Sequence, residues 1–315
     1  MSILCVGQLV ADLVVRPVNG LPVPGRTELV EELQLVAGGC AANTAAVLAK
    51  LGVETRLAAL IGQDTLGDAA LAYLKLDGVR PEYILRDPAL ATSAVVVLVS
   101  GTGERSFLYR EGGNEQLASR HVPDAALCAA RIVHVGGGMK LLGLDLGELA
   151  CRAKALGCAT SLDTDWDPRG LWMRRLEPAL PHLDYLLTNQ EEAAALSGHS
   201  APEAAARALL ARGPQAVVVK RGEHGALLVT RAGVTEFPPC RVEVLDTTCA
   251  GDSFVAGFLF GVHEGWPLAE AMRLGNAAGA LCSTQVSHRA ITCLEDLRRL
   301  MAGGGSPSPS GRGPW

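Results

Sequence analysis

Runs of apolar residues bounded by turn formers recur along the chain. They predict β-strands at Ile3–Val6, Arg56–Ile61, Ala94–Val99, Arg131–Val135, Ala159–Leu162, Tyr185–Leu187, Ala216–Lys220 and Ala226–Thr230. Alternating with several of them, Ala and Leu repeat at helical spacing. This predicts amphipathic helices over Ala41–Leu51, Gly67–Leu76, Leu146–Leu156, Glu191–Leu196, Glu203–Ala211, Gly251–His263 and Leu268–Cys282. Strand then helix, many times over, implies a doubly wound, mostly parallel sheet covered by helices on both faces, an α/β fold. Two stretches break the rhythm. Leu9–Val36 holds two strand-like segments around Pro22-Val23-Pro24-Gly25, and Ala94–Tyr109 reads as a hairpin turning at Ser100–Gly103. These four strands are expected to form a small sheet projecting from the main one, or else to extend its edge.

Composition narrows the class. The chain of 315 residues is 49% hydrophobic and 19% charged, with a formal net charge of −5, so a folded α/β domain needs no metal or disulfide staple. Mild acidity argues against a nucleic-acid binder, which would carry a basic stripe. No apolar run reaches the roughly 18 residues of a membrane helix, so neither a nucleic-acid nor a membrane partner is expected. The 9 cysteines are scattered singly, without a C-x-x-C pair, which fits a reducing, cytoplasmic setting. Gly303–Trp315 is Gly, Ser and Pro with one Arg and one Trp, and is expected to be a disordered tail.

The richest stretch for chemistry is Asp246-Thr247-Thr248-Cys249-Ala250-Gly251-Asp252. Small residues at 249–251 let backbone amides turn toward one point, and a helix starting near Gly251 aims its unpaired N–H groups there, which favours an anion. A carboxylate at the mouth of an anion site is out of place unless it serves as a general base; otherwise Asp252 is a first-turn residue attracted by the helix dipole.

That stretch resembles the signature Asp-Thr-x-Gly-Ala-Gly-Asp of the ribokinase-like carbohydrate kinases, the PfkB family, with Cys249 the departure. Gly38-Gly39-Cys40-Ala41-Ala42-Asn43 resembles the family's N-terminal Gly-Gly-x-x-x-Asn. Gly7 with Asp12, Asn189-Gln190-Glu191-Glu192, Gly222-Glu223-His224-Gly225 and Asn276 follow in family order. The resemblance covers residues 1–302, which it implies form one kinase domain with a β lid. It implies that Asp252 takes a proton from a sugar hydroxyl as that oxygen attacks the γ-phosphate of ATP, with amides at Ala250, Gly251 and Asp252 holding the transferring group. Asp12, Gly38, Gly39, Asn43, Arg110 and Asp165 would meet the sugar. Asn189, Lys220, Gly222, Gly225 and Asn276 would line the nucleotide, although Lys220 also reads as a solvated strand end. Glu192 and Asn189 would hold Mg²⁺ through water, a role that coexists with an ordinary helix cap. Asp246 would lie at a monovalent cation site closed by the 283–290 loop. Ser287-His288-Arg289-Ala290 departs from the family there, which puts K⁺ in doubt. Cys249 is either a small buried residue or a thiol made oxidisable by a lowered pKa at a helix start.

Asp165 and Asp167 stand where fructokinases and 2-keto-3-deoxygluconate kinases have Asn and Arg. Two extra carboxylates repel an acidic sugar unless Arg110 or Arg169 compensates, so a ketose or pentose is expected, with a sugar acid or a nucleoside as alternatives. The resemblance also implies a homodimer through the lid. Other classes fit less well. No Walker loop occurs, and Gly7–Asp12 lacks the G-x-G-x-x-G of dinucleotide-binding oxidoreductases. A silent sugar-binding protein on the same fold would have less use for Asp252.

Overall fold

The computed structural model describes residues 1–20, 23–102 and 104–303. Apart from Gly303 itself, the tail expected to be disordered lies outside the described residues. The strands are β1 (Ser2–Gly7), β2 (Val10–Arg16), β3 (Glu32–Gly38), β4 (Thr55–Gly62), β5 (Arg80–Asp87), β6 (Ala94–Val99), β7 (Arg105–Arg110), β8 (Ala130–Gly136), β9 (Ala159–Asp163), β10 (Tyr185–Asn189), β11 (Ala216–Lys220), β12 (Ala226–Thr230) and β13 (Gly233–Phe237). The principal helices are α1 (Cys40–Lys50), α2 (Thr65–Leu76), α3 (Leu146–Ala155), α4 (Gln190–Ser197), α5 (Pro202–Leu210), α6 (Ala250–His263), α7 (Leu268–Cys282) and α8 (Leu294–Met301).

Nine strands form one sheet in the order β13-β12-β11-β10-β9-β8-β1-β4-β5, parallel from β5 to β11 and antiparallel from there to β13. Alternate residues of a strand serve opposite layers. Ile3 and Cys5 enter the core shared with α1, α6 and α7, while Leu4 and Val6 enter the core shared with α3, α4 and α5. The sequence pattern missed the two edge strands. β5 reads Arg-Pro-Glu-Tyr-Ile-Leu-Arg-Asp and β13 Gly-Val-Thr-Glu-Phe, largely exposed or half-buried positions, because a strand paired on one side has less core to fill. The charged helix α8 also escaped notice.

The order reverses at β1, whose neighbours are β8 on one side and β4 on the other. At such a switch point the following crossovers part to opposite faces, leaving a crevice at the carboxyl ends of the strands. The register brings those ends into one row: Gly7 faces Gly136, Gly136 faces Asp163, and Asn189 faces Lys220.

A second, four-stranded sheet in the order β3-β2-β6-β7 is separate from the first, as the broken rhythm predicted. Its pleat assigns two faces. Val36, Asp12, Val95 and Tyr109 align across the strands on one side, with Gln34, Val14, Val97 and Phe107 beside them. Leu35, Leu13, Val96 and Leu108 align on the other. The first set contains Asp12, Val14, Gln34, Val36 and Val97, which wall a small cavity against Asp246, Thr248 and Cys249, so it is the inner face.

Candidate active site

α6 begins at Ala250 after Cys249, which adopts a left-handed conformation with φ 63° and offers no side-chain cap. Left-handed backbone favours glycine, which explains the residue usual at this place in the resembling signature. Ala250 N–H donates to Thr247 O at 3.2 Å and Ser253 N–H to Cys249 O at 2.8 Å. Among the described residues no acceptor stands at the N–H groups of Gly251 and Asp252. The anion donors are therefore two amides rather than the three expected, because the tight turn uses that of Ala250.

Asp252 projects from this first turn toward the start of α1. Its Oδ2 accepts from Asn43 Nδ2 at 2.7 Å, and Thr44 Oγ1 donates to its backbone O at 3.3 Å. Burial raises the Asp252 pKa, and the Asn43 hydrogen bond and the Lys220 charge pull it back. Asn43 was expected at the sugar. The structure commits its amide nitrogen to the carboxylate and buries its Oδ1 without a partner.

The Gly38-Gly39 pair is required by close approach. A Cβ on Gly38 would lie 2.0 Å from Asp12 Oδ2, and one on Gly39, at φ +96°, would lie 2.6 Å from Gln8 O. The Asp12 carboxylate thus rests on bare backbone. Its pKa is pushed up to about 7, first by burial and then by the charge of Asp252. Arg110 does not join this group. It stands on the outer face of the lid, opposite to Asp12, and its Nη2 donates to Thr92 O at 2.7 Å. One residue of pleat parity separates it from Tyr109, which faces inward and donates to Glu115 at 2.7 Å.

The expected excess of negative charge is met by partners the sequence did not reveal. Asp165 accepts from Gln8 Nε2 at 2.9 Å and Met139 N–H at 3.0 Å, and Lys140 Nζ is 3.2 Å away. Asp167 holds a turn by accepting from Arg169 N–H at 2.9 Å and Trp172 N–H at 2.6 Å. The Arg169 guanidinium pairs with Glu111 at 2.6 Å instead. Asp163, another residue not singled out, pairs with Lys220 at 2.6 Å. Lys220 is therefore no solvated strand end; burial works against its charge, and Asp163 and Glu192 hold it on, raising its pKa.

Asn189 and Glu192 form a reciprocal cap on α4: Glu192 N–H donates to Asn189 Oδ1 at 2.8 Å and Asn189 N–H to Glu192 Oε2 at 3.1 Å. Oε2 also accepts from Thr164 at 2.7 Å. Cys40, Asp163, Asp165, Asn189, Glu192, Lys220, Gly251 and Asp252 all border one cavity of about 550 Å³. A second cavity of about 770 Å³ shares Lys220, Gly222 and Gly251 with it and continues between Gly225, Val242, Val244, Phe254, Asn276 and Ala280. Asn276 fixes its wall by donating to Pro238 O at 2.9 Å. Gly225, at φ +76°, lets that wall close, since a Cβ there would lie 2.0 Å from Phe237 O.

One oxygen of Asp246 is already engaged: its Oδ1 accepts from Thr248 N–H at 2.8 Å and from Arg105 Nη1 at 3.1 Å. Burial first and the Asp252 charge second push the Cys249 pKa up, which speaks against the reading of it as an acidified thiol.

A carboxylate base beside two free amides at a helix start, at the switch point of an α/β sheet and beneath a β lid, is equipment for passing an anionic group to a hydroxyl. Comparison gives the lineage. The chain belongs to the pfkB family of carbohydrate kinases, whose model matches residues 1–296, and is a phosphotransferase acting on a sugar hydroxyl. It is similar to fructokinase-2 of Zea mays, 29% identical over 79% of each chain. It is similar also to aminoimidazole riboside kinase of Salmonella typhimurium, 30% identical over 78% of this chain and 82% of that one. Among solved structures, Arabidopsis thaliana ribokinase complexed with ribose and ATP superposes with a TM-score of 0.81 at 25% identity, covering 95% of this chain and 98% of that one.

Proposed function

We propose that the chain transfers the γ-phosphoryl group of ATP to a hydroxyl of a neutral ketose or pentose, and that residues 1–302 work as one kinase domain with its lid. The observation that carries this reading is the Asp252 carboxylate, held by Asn43 at 2.7 Å beside the free N–H groups of Gly251 and Asp252. The sugar rests on Gly38 and Gly39 against Asp12. Asp252 removes the proton of the attacking hydroxyl, and the two amides with Lys220 stabilise charge on the phosphoryl group in flight. The protein contributes position and electrostatics, and the lid excludes the water that would otherwise accept the phosphoryl group.

The larger cavity, apolar on several sides, suits the adenosine part of ATP, with Gly222, Gly225 and Asn276 in its wall. Mg²⁺ neutralises phosphate charge when bound. The oxygen donors of Glu192 and Asn189 suit it as ligands through water, since Glu192 Oε2 already serves three protein donors.

A neutral acceptor is supported by the carboxylates of Asp12, Asp163 and Asp165 near the reacting end, where Lys140 and Lys220 are already paired. Two further readings complete the proposal. The outer face of the lid, with Leu33 64% and Leu108 59% exposed, packs against a second copy. The chain works in the cytoplasm, since all nine cysteines are free; among the described residues no helix is long and apolar enough to cross a membrane. The test is ADP release over a panel of ketoses, pentoses, sugar acids and nucleosides, with Asp252→Asn as control. Release stimulated by a ketose or pentose and abolished in Asp252→Asn is expected. A sugar acid or nucleoside as the sole acceptor overturns the substrate, and near wild-type turnover in Asp252→Asn overturns the base.

A further inference from the structure

Arg105 opens β7 on the inner face of the lid, opposite Val99. Its guanidinium leaves the lid and reaches the loop that leads into α6. Nη1 donates to Asp246 Oδ1 at 3.1 Å, Nη2 donates to Thr247 Oγ1 at 2.7 Å, and Nη1 also bonds Thr248 Oγ1. The same Asp246 oxygen accepts from the Thr248 hydroxyl at 2.6 Å and from its N–H at 2.8 Å. The Asp246 N–H is tied to Ser283 O at 3.1 Å. One planar, permanently charged group thus fastens three consecutive residues immediately before the turn at Cys249.

The resemblance implies a monovalent cation at Asp246, and the residues present do not fit one. Oδ1 of Asp246 already accepts from the Arg105 guanidinium and from the Thr248 N–H and hydroxyl, so the charge a cation would neutralise is already paired. The adjoining cavity, about 30 Å³, is bordered by a second arginine, Arg289, and by the lid valines Val14, Val36 and Val97. The same lining holds the Asp12 and Asp246 carboxylates, but Arg105 already meets the charge of Asp246, and a further cation would face Arg289 and a largely apolar wall.

We infer that Arg105 is a positioning residue that brings the lid's own positive charge to Asp246 in place of a soluble cation, so that the loop aiming the Gly251 and Asp252 amides is ordered by lid closure. This rests on the reading of those amides as the phosphoryl site. Two consequences separate it from a merely structural ion pair. Turnover does not respond to potassium, and loosening Arg105 loosens the 246–252 segment together with β7.

The experiment compares wild type, Arg105→Ala and Arg105→Lys, using D-fructose and D-ribose as acceptors. Rates are measured with potassium, sodium or tetramethylammonium as the salt cation at constant ionic strength. Amide hydrogen exchange over 105–110 and 246–252 is followed on the same samples. Wild-type rates are expected to be the same in all three salts. Arg105→Ala should lose about tenfold to a hundredfold in kcat, the scale of a misplaced catalytic loop, with KM for ATP little changed. Exchange should rise in both segments at once. Arg105→Lys should recover part of kcat, since it restores charge without the fork. Specific activation of wild type by potassium, unchanged kcat in Arg105→Ala, or unchanged exchange in 246–252 overturns the inference. If neither sugar is phosphorylated by wild type, the acceptor reading fails on its own, while the exchange comparison still decides the coupling. If Arg105→Ala does not fold, Arg105→Lys gives the same comparison, and full kcat with unchanged exchange in both segments overturns the fork.

Discussion

Replacing Asn43 by Ala separates two readings of this residue, and the structure sets the size of the effect. Asn43 Nδ2 donates to Asp252 Oδ2 at 2.7 Å, and the same bond opposes the burial that raises the Asp252 pKa. A hydrogen bond to a charged group is worth about 1.5–3 kcal/mol. Since a tenfold change in protonation equilibrium corresponds to about 1.4 kcal/mol, losing this bond makes the carboxylate about ten to a hundred times easier to protonate. Only the ionised carboxylate accepts the sugar proton, so the acid limb of the kcat profile should move to higher pH by roughly one to two pH units. Below the limb, turnover should therefore drop by about tenfold to a hundredfold; above it, the variant approaches wild type. The assay is initial-rate ADP release against pH with ATP and sugar saturating. The buried Oδ1 has no partner in the native protein, so its removal orphans no donor, while the Asp252 carboxylate loses one donor at the cost just given; far-UV circular dichroism checks that the variant folds. An acid limb that stays in place while KM for the sugar rises would refute the reasoning, and would return Asn43 to the sugar-binding role the sequence suggested.

Asp12, with its pKa near 7, supplies a pH test on the other side of the sugar. If the ionised form accepts the sugar hydroxyls, KM for sugar rises as pH falls below about 7, by up to about tenfold per pH unit, and Asp12→Asn flattens the curve; a pH-independent wild-type KM counts against it. Burial holds His134 and His288 neutral, with pKa values lowered to about 3 and about 4. The unfolded chain binds protons on these rings below about pH 6.5 and the folded chain does not, so stability is lost as pH falls from there, at about 2 kcal/mol per ring by about pH 5. Asp12 and Asp163, with raised pKa values, act in the opposite direction. The measurable quantity is therefore the difference between wild type and His134→Asn in urea denaturation at the two pH values, and equal losses in both would reject the account. For the lid, Leu33→Glu with Leu108→Glu should turn a sedimenting dimer into a monomer, and a wild type that is already monomeric at micromolar concentration removes that proposal.

Much of the scaffold was legible because buried parallel strands and Ala/Leu helices carry strong periodic signals. β5 and β13 were not, since an edge strand needs few apolar residues. In the site, Asp252, Asn43, Lys220 and the Gly38-Gly39 pair were singled out through short local motifs, and the fold brings Asn43 to Asp252 across 209 residues. Arg110 was misassigned because pleat parity sends neighbouring residues to opposite faces, and the register that decides between Tyr109 and Arg110 comes from pairing with β6. Gln8, Lys140 and Asp163 escaped because they matter through strand ends that only the folded sheet brings together. Asp163 and Lys220, for example, are 57 residues apart in sequence. Arg105 gave no local signal at all; its partners lie beyond residue 245.

The left-handed Cys249, roofed by the lid valines, gives the molecule a built-in reporter. Thiols at 128, 151 and 293 are exposed and will take up an alkylating reagent promptly. Cys249 is half-buried beneath that roof, so it should be labelled more slowly than the exposed thiols, and a bound acceptor that holds the lid down should slow it further.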